Sequence, residues 1–244
     1  MSSFQLIAHR GFSCCYPENT RVAFEAAIDA GATALEGDVQ LSADGVPFMF
    51  HDRELRRLCG VSGRLEQKSA AELAALSAYA PQAFGRRFEG EPLLPLSALM
   101  PMLEMHPHIT FYLEVKRVSL RGFSVAQVLD CLWPLIWPRR SQIVLISFSL
   151  PVLVQARQRG YPRIAPVLTQ WCQLQRQSVV KLAPEAVFLN HQRLPFAACY
   201  PDLPYHLALY ETSDPMRAIA LAERGASLIE TDDIGQMLRV LHGG

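Results

Sequence analysis

The sequence predicts an α/β protein that folds as a (β/α)8 TIM barrel. The chain has 244 residues, a length that suits one such barrel with a large buried core. Eight short β-rich segments alternate along it with helical patterns, and this alternation is typical of a parallel sheet. None of these segments is followed by G-x-G-x-x-G, so a closed barrel is favoured over an open doubly wound sheet.

The predicted strands are runs of apolar and β-branched residues bounded by polar or turn-forming residues. The first of them is followed by an Ala-rich amphipathic stretch from Asn19 to Ala30, which predicts a helix. Helical patterns also separate most of the later strands. In chain order the eight strands are expected over Phe4–Ala8, Ala34–Leu41, Ile109–Val115, Gln142–Ser147, Arg163–Leu168, Ala186–Leu189, His206–Tyr210 and Ser227–Glu230.

A long segment, roughly residues 42–105, separates the second and third predicted barrel strands. It exceeds the length of an ordinary connection between a strand and a helix, and the run Val46–Phe50 predicts a hairpin strand inside it. We therefore expect a single domain over residues 1–244, with a small insertion after the second barrel strand that shapes a pocket.

The charges of the chain balance, with 23 Lys and Arg against 23 Asp and Glu. Without an excess of positive charge, the chain is not expected to bind nucleic acid or an anionic membrane, and any phosphate recognition must be local. Its apolar runs are shorter than the roughly 20 residues needed to cross a bilayer, so no stable membrane insertion is expected. The sequence leaves the oligomeric state open.

The cysteines indicate a reducing environment. They show no C-x-x-C spacing, so reduced thiols are expected rather than a zinc site or a disulfide framework. The first five residues lack the basic region of a secretory signal, and a cytoplasmic location is therefore predicted. The six cysteines are Cys14, Cys15, Cys59, Cys131, Cys172 and Cys199.

Acidic and basic side chains follow predicted strands at the ends where barrel enzymes carry their active sites. Glu36 and Asp38 are two residues apart, so they project to the same face of one strand, as do Glu114 and Lys116 on the next. Three carboxylates meeting in this way suit Mg²⁺ or Ca²⁺, which prefer oxygen ligands. The alternative is a structural ion-pair network in which Arg10 and Lys116 neutralise the acids.

Two histidines are candidates for proton transfer. His9 closes the first strand and His51 follows the predicted hairpin, and an unperturbed imidazole has a pKa near 6.5. A pair of this kind can act as base and acid. Arg10 and Lys116 are expected to hold phosphoryl oxygens. Together these groups suit metal-assisted attack on a phosphodiester.

Two aromatic residues, Phe148 and Tyr210, also end predicted strands at this face. Their rings are candidates for lining a slot for an alcohol moiety of the substrate. Plain core packing is the equal alternative for both.

Several motifs spread over the chain point to one family. They are A-H-R-G at Ala8–Gly11, P-E-N-T at Pro17–Thr20, G-A-x-x-L-E-x-D-V-Q-L-S-x-D-G at Gly31–Gly45, H-D at His51–Asp52, L-E-V-K at Leu113–Lys116 and G-A-S-L-I-E-T-D at Gly225–Asp232. This pattern resembles the glycerophosphodiester phosphodiesterase family, and the resemblance covers nearly the whole chain.

The resemblance implies hydrolysis of a small glycerophosphodiester to sn-glycerol 3-phosphate and an alcohol. It also implies a divalent cation, Mg²⁺ in preference to Ca²⁺, on Glu36, Asp38 and Glu114, with His9 and His51 as the acid and base. Water and the glycerol hydroxyl both remain candidate nucleophiles. Two alternatives are phospholipase D-like hydrolysis of lysophospholipids and a non-catalytic phosphate-binding barrel.

Three segments depart from the family pattern and leave the preferred alcohol open. Tyr210–Pro215 replaces W-T-V-N-D-P and introduces Glu211, and Glu230–Asp232 replaces an I-T-D ending. The basic segment Arg53–Leu58 would suit a larger anionic head group, but solvated surface charges are the preferred interpretation.

Overall fold

In the computed structural model, which describes residues 4–195 and 203–242, eight parallel strands close into a barrel. Neighbouring strands pair in sequence order, and β1 closes the ring by pairing with both β2 and β9. Strand β3 is antiparallel to the end of β2 and lies outside the ring. The strands are β1 (Gln5–Ala8), β2 (Ala34–Leu41), β3 (Pro47–Met49), β4 (Thr110–Val115), β5 (Ile143–Ser147), β6 (Ile164–Leu168), β7 (Ala186–Asn190), β8 (His206–Tyr210) and β9 (Leu228–Thr231).

The α-helices surround the barrel or belong to the segment after β2. They are α1 (Arg21–Asp29), α2 (Arg56–Cys59), α3 (Ala70–Ala74), α4 (Pro81–Phe84), α5 (Leu96–Met105), α6 (Val125–Ile136), α7 (Leu150–Gln158), α8 (Gln177–Val180), α9 (Pro215–Glu223) and α10 (Ile234–His242). Short 3₁₀ helices cover Leu65–Gln67, Arg117–Arg121, Trp137–Arg139, Trp171–Gln173 and His191–Arg193.

The predicted (β/α)8 barrel is confirmed, and each predicted barrel strand overlaps an observed one. The predicted helix over Asn19–Ala30 is α1, whose first turn is capped by the Thr20 hydroxyl, which accepts a hydrogen bond from the Ala23 amide. That the chain forms a single domain over residues 1–244 stays a prediction.

Alternation along the barrel strands produces two apolar layers. In β5, Val144 and Ile146 point into the barrel, while Ile143 and Leu145 point outward against the helices. Tyr112 and Phe188 fill the barrel interior and contact each other edge to face at 5.3 Å. The barrel therefore has a packed floor, on which the polar residues at the strand ends rest.

The segment between β2 and β4 has a core of its own. It holds β3 and the predicted hairpin, and its buried residues include Phe48, Phe50, Leu55 and Leu58. Its last element, α5, instead packs on the main core with the other barrel helices. The predicted excursion over residues 42–105 thus combines an inserted lobe with a regular barrel helix.

No helix among the described residues is both long and apolar enough to cross a membrane. Within the same residues, the five cysteines that can be seen are unpaired thiols. Cys199 lies outside the described residues.

Candidate active site

A tight turn after β1 sets the entrance of the site. Arg10 and Gly11 both have left-handed backbone, with φ of 55° and 83°. A Cβ on Gly11 would lie 2.6 Å from the Ala23 carbonyl carbon, so only glycine fits there. This turn directs the Arg10 amide to donate a hydrogen bond to Glu36 Oε2 at 3.2 Å. The backbone of the turn thus contributes directly to the site.

Three carboxylates converge inside the mouth of the barrel. Glu36 and Asp38 lie on β2, and Asp38 stands in register with Glu114 on β4. All three residues are buried, and one oxygen of each lies within 4.8 Å of the others. The spatial convergence inferred from strand spacing is present in the structure.

Two cations stand among these acids. Lys116 Nζ lies 3.2 Å from Asp38 Oδ1 and 3.0 Å from Glu114 Oε1, and Arg10 Nε lies 3.1 Å from Asp38 Oδ2. Asn19 donates a hydrogen bond to Asp38 Oδ2 at 2.9 Å. Burial alone would raise the pKa of Asp38, but Lys116 and Arg10 hold it well below its usual value.

Glu36 has a different environment from the other two acids. Burial raises its pKa well above the usual value, and repulsion from Asp38 adds to the rise. Among the described residues, no lysine or arginine side chain forms an ion pair with Glu36, and His9 Nε2 approaches it only to 3.9 Å. Of the three acids, Glu36 is therefore the one whose negative charge is least compensated by neighbouring cations.

Asp232 holds the imidazole ring of His9 in place. Asp232 Oδ1 lies 2.8 Å from His9 Nδ1 and also accepts a hydrogen bond from Ser13 Oγ at 2.9 Å. Burial lowers the pKa of His9, but Asp232 and the charges of Glu36 and Glu230 together raise it to about 10. The ring is fixed through Nδ1, which leaves Nε2 for proton transfer.

His51 is held in the same way by its own neighbour. Asp52 Oδ1 lies 2.9 Å from His51 Nδ1, and Arg57 bonds the other oxygen of Asp52 at 2.6 Å. Arg57 also forms two hydrogen bonds with Glu18, which in turn bonds Arg10. One chain of ion pairs therefore connects the two sides of the site.

These side chains surround a cavity of about 110 Å³ at the carboxyl ends of the strands. Every predicted catalytic and substrate-binding residue lines it, whereas Asp38 lies buried behind the wall. The floor is apolar. The lining residues are His9, Arg10, Glu36, His51, Glu114, Lys116, Ile146, Phe148, Val167, Phe188, Tyr210, Glu211 and Glu230.

The prediction of site residues missed several that the structure places here. Asp232 follows β9 directly, so the rule that selected strand ends would also have selected it. Glu230 lies on β9, is 4% exposed, and makes no side-chain hydrogen bond within the described part of the chain. Burial raises the pKa of Glu230 to about 7, with His9 lowering it and Glu211 raising it. Asn19 was not predicted as a site residue, because amide side chains rarely act as catalytic groups.

Comparison with known proteins identifies related sequences. The sequence profile of the Glycerophosphoryl diester phosphodiesterase family matches residues 9–124. A Bacillus altitudinis glycerophosphodiester phosphodiesterase is 44% identical over 69 residues, which are 28% of either chain. A Mycobacterium tuberculosis protein named "probable glycerophosphodiester phosphodiesterase 1" is 32% identical over 174 residues, 67% of this chain and 63% of the relative. The chain thus spans less than two thirds of the length of these relatives.

Solved structures share the fold over almost the whole chain. An Oleispira antarctica phosphodiesterase, solved with the product sn-glycerol-3-phosphate, superposes with a TM-score of 0.84 and 22% identity. The match covers 98% of this chain and 96% of that one. At this identity the likeness establishes the barrel.

Proposed function

Because this chain belongs to the glycerophosphoryl diester phosphodiesterase family, we propose that it hydrolyses glycerophosphodiesters to sn-glycerol 3-phosphate and an alcohol. One observation carries the proposal: two histidines, each held by an aspartate, line a single cavity that the buried acids Glu36 and Glu114 also line. His9 is next to Glu36, and His51 acts electrostatically on Asp38 and Glu114. The product bound to the Oleispira antarctica protein is consistent with this reaction.

Glu36, Asp38 and Glu114 would hold a divalent cation. The donor set is all oxygen, as hard cations require, and Glu36 lacks a lysine or arginine partner within the described residues. We favour Mg²⁺ over Ca²⁺, because the resemblance to the compact members of the family implies Mg²⁺. When bound, the cation supplies Lewis-acid polarisation of the phosphoryl group and compensates its charge.

His9 and His51 would be the general acid and base. In the net reaction a P–O bond forms to the oxygen of water and the P–O bond to the alcohol breaks. One imidazole takes the proton of the attacking hydroxyl, and the other gives a proton to the departing alkoxide. The same roles serve a direct attack by water and a route through a cyclic phosphate.

The remaining lining residues would bind the substrate. Arg10 and Lys116 are fixed by Asp38 before substrate arrives, so they can receive phosphoryl oxygens with little rearrangement. Phe148 and Tyr210 would form the aromatic wall for an alcohol moiety. The cytoplasmic location stays a prediction from the sequence.

The direct test is turnover by the purified protein. We expect release of glycerol phosphate from glycerophosphocholine, glycerophosphoethanolamine or glycerophosphoglycerol in the presence of Mg²⁺, and its loss with EDTA. Ca²⁺ and Mn²⁺ assayed beside Mg²⁺ identify the preferred cation. Absence of metal-dependent release from every head group would leave the non-catalytic phosphate-binding barrel. Higher kcat/KM on detergent-solubilised lysophospholipids would favour the phospholipase D-like alternative.

A further inference from the structure

A second hollow adjoins the catalytic cavity, and four of its eight lining residues are lysine or arginine. We call it the arginine groove; its volume is about 360 Å³, and it shares four lining residues with the catalytic cavity. It lies on the His51 side of the site. Its lining residues are His51, Arg53, Glu114, Lys116, Arg117, Val118, Arg121 and Phe148.

The groove has more positive charge than its neighbours neutralise. Lys116 is paired with Asp38 and Glu114, and Arg53 is paired with Glu66 at 2.9 Å. Arg117 and Arg121, by contrast, have no carboxylate oxygen within 4 Å anywhere in the described ranges. Two of the arginines that line this hollow therefore have no ionic partner within the described part of the chain.

The backbone that carries these two arginines is firmly placed. The 3₁₀ helix Arg117–Arg121 follows β4 directly, so it begins next to Lys116. At its centre, Ser119 is 2% exposed, and its hydroxyl accepts a hydrogen bond from the Leu41 amide at 3.0 Å. The Arg117 guanidinium lies 5.3 Å from the centre of the Phe148 ring. The backbone of this side of the groove is thus held by contacts within the protein.

The opposite wall of the catalytic cavity has the reverse charge. Glu211 and Glu230 line it, and Asp232 lies behind His9. A negatively charged substituent would be repelled there and attracted to the groove. Acidic residues thus lie beside His9 on one wall, whereas arginines without an acidic partner among the described residues line the groove on the His51 side.

We propose that the arginine groove binds an anionic substituent on the leaving alcohol, so that the enzyme prefers glycerophosphodiesters whose head group carries an additional phosphate or carboxylate. This inference rests on the proposed function and deepens it. Arg117 and Arg121 would contact the anionic group, and Arg53 would add to the field.

Two matched pairs of substrates test the proposal. Glycerophosphoinositol 4-phosphate differs from glycerophosphoinositol by one phosphate, and glycerophosphoserine differs from glycerophosphoethanolamine by one carboxylate. We expect the wild type to favour the more anionic member of at least one pair by 10-fold or more in kcat/KM. The pair that shows the preference identifies whether the groove recognises a phosphate or a carboxylate. Because the groove is open to solvent, the preference should shrink as NaCl is raised.

The double variant Arg117→Gln and Arg121→Gln tests the residues themselves. We expect the charge preference to fall at least 10-fold, mainly through KM. Arg140→Gln is the matched control, because Arg140 is also an exposed arginine stacked on an aromatic ring, Trp137 at 4.7 Å, but it precedes β5 at the opposite end of the barrel. It should leave the preference unchanged.

The outcomes separate the two proposals. Hydrolysis of all four compounds with ratios near one, or a preference that survives the double variant, overturns the groove assignment alone. Hydrolysis of none overturns the proposed function and the groove together. A thermal melt of each variant checks that it is folded, and the wild-type ratios decide the question even if the double variant is unstable.

Discussion

Replacing Asp232 by Asn tests whether His9 acts through the carboxylate that holds it. Asp232 Oδ1 lies 2.8 Å from His9 Nδ1, and asparagine keeps the size of the side chain while removing its charge. A hydrogen bond to a charged group contributes about 1.5–3 kcal/mol. Since about 1.36 kcal/mol corresponds to a factor of ten in rate, kcat/KM should fall about 10- to 150-fold.

The same substitution should change the titration of His9. Asp232 is a main cause that raises the pKa of His9 to about 10, so the variant should titrate at lower pH, as followed by NMR of the imidazole C–H signals. A raised histidine pKa contributes stability that is complete below about pH 6.5 and is lost as the pH rises through about 10. The difference in unfolding free energy between wild type and variant should therefore narrow over that range.

Asp233→Asn is the matched control for this experiment. It removes the same charge one residue away, and Asp233 accepts a hydrogen bond from the Gln236 amide rather than contacting His9. Asparagine caps a helix about as well as aspartate, so the fold should be retained. If Asp232→Asn kept the wild-type kcat/KM and left the titration of His9 unshifted, the positioning role of Asp232 would be refuted.

Three further predictions concern the cluster and its surroundings. His9→Ala and His51→Ala should each lower kcat about 100-fold or more, the usual contribution of general acid–base catalysis, as measured under saturating substrate. Glu36→Ala should weaken Mg²⁺ binding, as measured by titration calorimetry, and an unchanged affinity would contradict the ligand assignment. Folded wild type must ionise the buried Glu230 carboxyl, whose pKa is raised to about 7, so it loses stability as the pH rises from 4.5 through 7. Glu230→Gln has no such carboxyl. Its unfolding free energy relative to wild type should therefore increase over that range by on the order of 1–3 kcal/mol, as measured by urea denaturation.

The barrel could be predicted because its strands are short, apolar and evenly separated by helical patterns. Buried parallel strands such as β5 (Ile143–Ser147) read as continuous apolar runs, which leave little ambiguity. The segment after β2 was harder. Its small helices are stabilised by a local core around Leu55 and Leu58. Helices this short have no clear periodic pattern in the sequence, so they could not be predicted from it.

One rule predicted part of the lining of the candidate site. Reading the polar residues at strand ends found His9, Glu36 and Glu114, because β-strand geometry fixes where those side chains point. It did not show that Asp232 holds His9, since the two residues are far apart in sequence and come into contact only when β1 and β9 pair. Residue spacing along the chain does not predict contacts that form only when the barrel closes.

The carboxylate cluster can be a cation site or a structural ion-pair network, and Glu36 distinguishes them. Arg10 and Lys116 form ion pairs with Asp38, Glu114 and Glu18, which leaves Glu36 with one backbone amide at 3.2 Å and with His9 Nε2 at 3.9 Å. A network built for stability would not keep a buried acid so weakly compensated that burial and Asp38 raise its pKa well above the usual value. Glu36→Ala should therefore stabilise the metal-free protein while abolishing the stabilisation by Mg²⁺, whereas in a structural network it would destabilise the protein and leave Mg²⁺ without effect.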